Sequence, residues 1–185
     1  MQNIGTRSPV PEKPFPRLIH FRDPNRRGLL LGHTHDHQSL AQWCHSVLPC
    51  HARPLTLVTR ALVDNALQHT RSGLPGGTVR VVLDRTRPLL PHLYVTDEGP
   101  LPGPNISYPR RDDQAPCSGL ALVERLSVYW DFSWSWDGHR IRALTLQVVF
   151  DLTEPAEPDQ RAHEKGPEKR HTALPGPRTL NPRIP

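Results

Sequence analysis

Leu62-Val63-Asp64-Asn65-Ala66-Leu67-Gln68-His69-Thr70 and, further along, Val95-Thr96-Asp97-Glu98-Gly99 are the stretches whose reading decides the fold. The first closes a run in which Leu55, Val58, Leu62 and Ala66 recur at helical spacing, so it predicts an amphipathic helix starting near Pro54. On that helix Asn65 shares a face with Ala61, Gln68 and His69, because residues three or four apart lie above one another. The second stretch ends a short strand, Leu93 to Thr96, with the carboxylate of Asp97 and then the glycine of Gly99.

Working outward, Leu29-Leu30-Leu31 predicts a strand, and Leu40, Trp43, Cys44, Val47 and Leu48 form a helical stripe that Pro49 ends. Ser72-Gly73, Pro75 and Gly76-Gly77 break the chain before Thr78 to Asp84, where Val79, Val81 and Leu83 alternate as in a strand. Residues 98–116 are proline-rich and poor in apolar side chains, the composition of a lid or binding loop. Gly119 to Leu126 returns to a helical pattern through Leu120, Val123 and Leu126. Val128, Trp130, Phe132, Trp134 and Trp136 then alternate up to Asp137-Gly138, and Leu144, Leu146, Val148 and Phe150 alternate after it. That is a hairpin, with its aromatic row expected in the sheet core. The fold class expected is α+β: a two-layer sandwich with two helices on one face of a mixed, mostly antiparallel sheet.

The 185 residues allow one modest core, assigned to residues 28–151. Residues 1–27 and 152–185 are proline-rich, charged and without apolar periodicity, so both are expected to be flexible arms. The formal net charge of +5 is spread along the chain without a nucleic-acid motif, which favours a solvated basic surface. Cys44, Cys50 and Cys117 are odd in number and irregularly spaced, as expected in a reducing cytoplasm. Neither a signal-peptide core nor a bilayer-spanning apolar run is visible, so no membrane partner is expected.

The polar residues on these elements suit a nucleotide. The amide oxygen of Asn65 is a hard donor of the kind hydrated magnesium prefers. Asp97 can accept a hydrogen bond from an exocyclic amino group such as that of adenine. Gly99 lets backbone come close to a base, and Gly119, opening a helix, leaves N–H groups for phosphate. Taken singly, Asn65 reads as a surface amide and Asp97-Glu98-Gly99-Pro100 as an ordinary turn. The ordered combination is what carries specificity.

In that order the chain resembles the histidine-kinase-like ATPases, in their anti-sigma-factor serine kinase branch, and especially the small ATP-binding regulators abundant in actinobacteria. Leu62 to His69 resembles the Asn-containing box, Val95 to Pro100 the first glycine box, and Ser118-Gly119-Leu120-Ala121-Leu122-Val123-Glu124-Arg125-Leu126-Ser127 the second. The resemblance covers residues 29–151. It implies an α/β sandwich holding ATP and Mg²⁺ beneath a lid, and a protein partner: a sigma factor, or an antagonist phosphorylated on serine. A homodimer is also within its repertoire. Carried over by position, the nucleotide site comprises Asn65, His69, Asp97, Gly99, Gly119 and Leu120, with Asn65 as the magnesium ligand.

The departures concern catalysis. Four residues before Asn65 the family usually has a glutamate as general base; here Ala61 stands there, and no residue is assigned a catalytic role. Asp64 lies about 100° round the helix from Asn65, a poor substitute. Cys117 replaces the usual first glycine of the second box, and Arg140 a small hydroxyl residue of the closing strand. Nucleotide binding with impaired phosphotransfer is the expectation, and a non-enzymatic interaction module is its rival.

A second constellation, His33-Thr34-His35-Asp36-His37 with Cys44-His45 and Cys50-His51, is rich in metal-capable side chains. Its spacing does not match the usual zinc pairs. The preferred reading is a polar turn capping a helix through Asp36 or Ser39.

Overall fold

The computed structural model describes residues 15–103 and 119–153. The glycine-and-proline lid expected at residues 98–116 falls largely outside the described residues, as do Cys117, Ser118 and the C-terminal tail from residue 154. The elements in order are β1 (Arg17–His20), β2 (Arg26–Gly32), α1 (His37–Val47), α2 (Ala52–His69), β3 (Thr78–Asp84), β4 (His92–Thr96), α3 (Gly119–Leu126), β5 (Tyr129–Asp137) and β6 (Arg140–Val149). The fold is α+β, a sheet of order β1-β2-β3-β4-β6-β5 covered by three α-helices. Every strand pair among the described residues is antiparallel, which corrects the expected mixed sheet, and the helical pattern expected over Gly119 to Leu126 forms α3, so three helices rather than two pack on the sheet. β4 and β5 are each antiparallel to β6 and therefore run parallel to one another, with α3 between them in the chain and β6 between them in the sheet.

One face of the sheet carries the core. Leu31, Val79, Val81, Leu83, Leu93 and Val148 are buried against Leu40, Leu55, Val58, Leu62 and Val123 from the helices. The periods of two and of 3.6 in the sequence therefore meet across one interface. Helix α1 is capped by Asp36, whose side chain accepts from the backbone N–H groups of Gln38 and Ser39. A short 3₁₀ turn, Pro49–His51, ends the first helix and feeds α2.

The sheet begins earlier than expected. The stretch assigned to an N-terminal arm contains β1, and Arg26 and Arg27 belong to β2. Pro16 and Pro24 flank the edge strand rather than interrupt it, so they do not prevent pairing. Gly28 is the reason this edge packs closely: a Cβ there would lie 2.8 Å from Cβ of Ile19 and 2.9 Å from the Phe21 ring. Residues 1–14 lie outside the described residues.

The aromatic row also departs from its expected place. Trp130, Phe132 and Trp134 pack half-buried against the core, but Val128 and Trp136 are 59% and 58% exposed. Strand β5 is the sheet edge, and the eight residues of α3 are too short to cover its whole length. Among the described residues, no helix is long and apolar enough to cross a membrane.

Candidate functional site

The end of β4, the C-terminal end of α2 and the start of β6 converge on Asp97. Asp97 is 6% exposed, and its Oδ1 accepts the backbone N–H of Gly99 at 2.6 Å and of Leu144 at 2.9 Å. Burial pushes this carboxyl above its ordinary value, while the two backbone donors and the nearby Arg71 oppose the rise. Both of these bonds use Oδ1, and no hydrogen bond to Oδ2 is seen among the described residues.

Gly99 has φ +82°, a conformation glycine adopts without steric cost. A Cβ there would meet the Arg142 carbonyl oxygen at 2.8 Å and Nη2 of Arg71 at 3.0 Å. The glycine is therefore required by the loop's own packing against β6, whatever else approaches it.

Arg71 is the residue that sequence reasoning missed. Its backbone N–H donates to Gly99 O at 2.9 Å, and its guanidinium donates to Ile141 O and Arg142 O at 3.3 and 3.1 Å. A cation placed between a helix end and a glycine-proline turn was the available signal. Neighbouring bonds make the loop rigid. Ser72 Oγ donates to Thr78 O and accepts from Glu98 N, while Glu98 Oε1 accepts from both the N–H and hydroxyl of Thr78. Thr70 bridges Pro100.

On α2, Asn65 is half-buried and His69 exposed, with the helical spacing that sets them on one face. Ala61, one turn before Asn65, lies beside the first residue of α3: a Cβ built on Gly119 would sit 3.5 Å from that of Ala61. The helix face carrying positions 61 and 65 thus fronts the N-terminal end of α3. Leu120 departs from the rest of the predicted set, since its side chain is in the core. Only its backbone remains for a ligand.

Asp64 is directed elsewhere. It lies 3.6 Å from Nε of Arg60 and 3.8 Å from Nε2 of His37, on the α1 side of the helix. The geometry agrees with its exclusion as a replacement base. The Cys and His constellation divides in two. Cys44 is buried, with its thiol held above the ordinary range by burial and set 3.9 Å from Thr59 Oγ1, whereas Cys50 is exposed.

No protein-family model matches the chain, and no curated protein matches it.

Proposed function

We propose that this chain is an ATP-binding regulatory protein of the histidine-kinase-like type, resembling anti-sigma-factor serine kinases, in which phosphotransfer is impaired. The observation that carries the reading is Asp97. A buried carboxylate at a strand end, with one oxygen held by two backbone donors, is preorganised to accept an amino group with the other. Preorganisation matters because the site then orders few groups when it binds.

The remaining residues fit the same ligand. The half-buried Asn65 presents an amide oxygen on the helix face that fronts α3, suited to a magnesium ion that keeps most of its waters. Mg²⁺ would supply charge neutralisation of the phosphates. The exposed Gly119 and the backbone of Leu120 open α3, and the N-terminal end of a helix favours an anion. Position 61 fronts that end of α3, and alanine there cannot take a proton. Loss of a general base costs about 10²–10⁴-fold in rate.

The partner under this reading is a sigma factor or an antagonist protein in the cytoplasm. The rival reading, a non-enzymatic interaction module, is favoured by a separate observation: the bonds to Asp97 and the packing at Gly99 also stabilise the apo-fold. Calorimetric titration with ATP, with and without Mg²⁺, separates the two. Saturable magnesium-dependent binding, lost in Asn65→Ala, is expected. No binding at about millimolar ATP, a concentration that detects even interactions near −4 kcal/mol, would leave the interaction module.

A further inference from the structure

Asp36 caps α1 from an extended conformation, φ −97° and ψ 124°, with its carboxylate turned to the N–H groups of Gln38 and Ser39. In extended backbone, alternate side chains leave on opposite sides. His35 and His37 therefore emerge together, away from the cap, with ring centroids 4.9 Å apart and planes at 86°. Helix α2 brings Asp64 to the same place, 3.8 Å from Nε2 of His37. One ligating atom from each of the three lies within 4.8 Å of the other two.

We propose that His35, His37 and Asp64 form a zinc site that clasps the segment entering α1 to the middle of α2. Two imidazoles and one carboxylate, with a fourth position open to water, are a donor set zinc accepts. Magnesium and calcium prefer all-oxygen shells, so the imidazoles select against them. Tetrahedral bonds of about 2.0–2.2 Å place ligand atoms about 3.3–3.6 Å apart. The side chains of His37 and Asp64 are 44% and 46% exposed, which leaves them room to rotate toward that spacing.

A second observation points to the same ligand. Nε2 of His35 is shielded from solvent and has no hydrogen-bond partner among the described residues. A buried imidazole nitrogen of this kind is stabilised by a metal or another partner. The competing cation is Arg60, 3.6 Å from Asp64 and 55% exposed, able to swing into water. The site faces α1, whereas Ala61 faces α3, so the proposal stands apart from the nucleotide reading.

The test uses the untagged full-length chain, stripped with chelator and titrated with Zn²⁺ by calorimetry and with Co²⁺ by visible absorption. Expected are one ion per chain, a rise in Tm with zinc, and a tetrahedral cobalt band. His37→Ala and Asp64→Ala each lower zinc affinity by about tenfold or more and remove the band, with circular dichroism unchanged because both side chains are half-exposed. Cys50→Ser leaves all three signals intact. No zinc binding at about 50 μM, a level at which any site of useful affinity fills, overturns the proposal. So does undiminished binding in both variants, which would assign the metal to others of the eleven histidines.

Discussion

Leu144 donates its backbone N–H to Oδ1 of Asp97 at 2.9 Å, while Asp97 donates its own N–H to Leu144 O at 3.0 Å. A side chain thus replaces one rung of the β4–β6 ladder. Asp97 is at once a structural residue and the best-placed acceptor of the candidate site, and any test of its function must separate the two.

Asp97→Asn makes that separation. The amide oxygen can still accept from Leu144 and Gly99, so thermal stability is expected to change by only a few degrees. Its NH₂ group replaces the free carboxylate oxygen by a donor, which opposes an exocyclic amino group. ATP affinity should fall about tenfold or more by calorimetry. Asp97→Ala, in contrast, leaves buried donors unpaired and should cost about 1–3 kcal/mol of stability in denaturant titration. Equal ATP affinity in wild type and Asp97→Asn would remove Asp97 from the nucleotide site.

Gly99→Ala should destabilise the protein without any ligand present. The positive φ disfavours alanine, and its Cβ would press on the Arg142 carbonyl at 2.8 Å. A loss of about 1–3 kcal/mol is expected from chemical denaturation. An unchanged midpoint would mean that the loop repacks around the methyl group.

Ala61→Glu tests the missing base. The new carboxylate would project from the α2 face that fronts the start of α3. If base loss is the sole defect, ATP turnover measured by phosphate release should rise by about 10²-fold or more. Tight ATP binding with no gain in turnover would assign the defect to the region around Cys117.

The His35 environment gives the pH response of the metal-free protein a definite sign. Burial is the main cause that holds this imidazole below 6.5; His37 and Arg60 add to it, and Asp64 and Asp36 oppose it. Below its ordinary value the unfolded chain binds the proton before the native state does. The contribution is present above about pH 6.5 and is lost as pH falls toward the depressed native value. In chelator, Tm should drop between about pH 7.5 and 5.5, and His35→Gln should flatten that drop. Parallel curves for the two proteins would place the acid sensitivity at another group.

Much of the fold was legible because local periodicity and burial agree. The stripe Leu55, Val58, Leu62, Ala66 and the alternation Val79, Val81, Leu83 each became one buried face. The Asp137-Gly138 turn was legible for a similar local reason, with Gly138 at φ +59° between paired Asp137 and Arg140. The edges were not. The strand Arg17–His20 is too short for periodicity to reveal, and its place depends on Ile19 and Phe21 packing over Gly28. The aromatics of β5 carry the same alternation as a core strand, but their burial depends on what lies above the sheet edge.

By itself, then, the sequence determined the elements, the one apolar face of each, and the identity of Asn65, Asp97 and Gly99 as the polar and glycine positions among them. These depend on neighbours a few residues apart, and side-chain chemistry expresses them directly. Tertiary structure decided the all-antiparallel strand order, the locking of Arg71 onto Gly99 and β6, and the meeting of His35 and His37 with Asp64. Those relationships join residues distant along the chain. They exist only once burial of the helices against one sheet face has brought α1, α2 and β6 to their places.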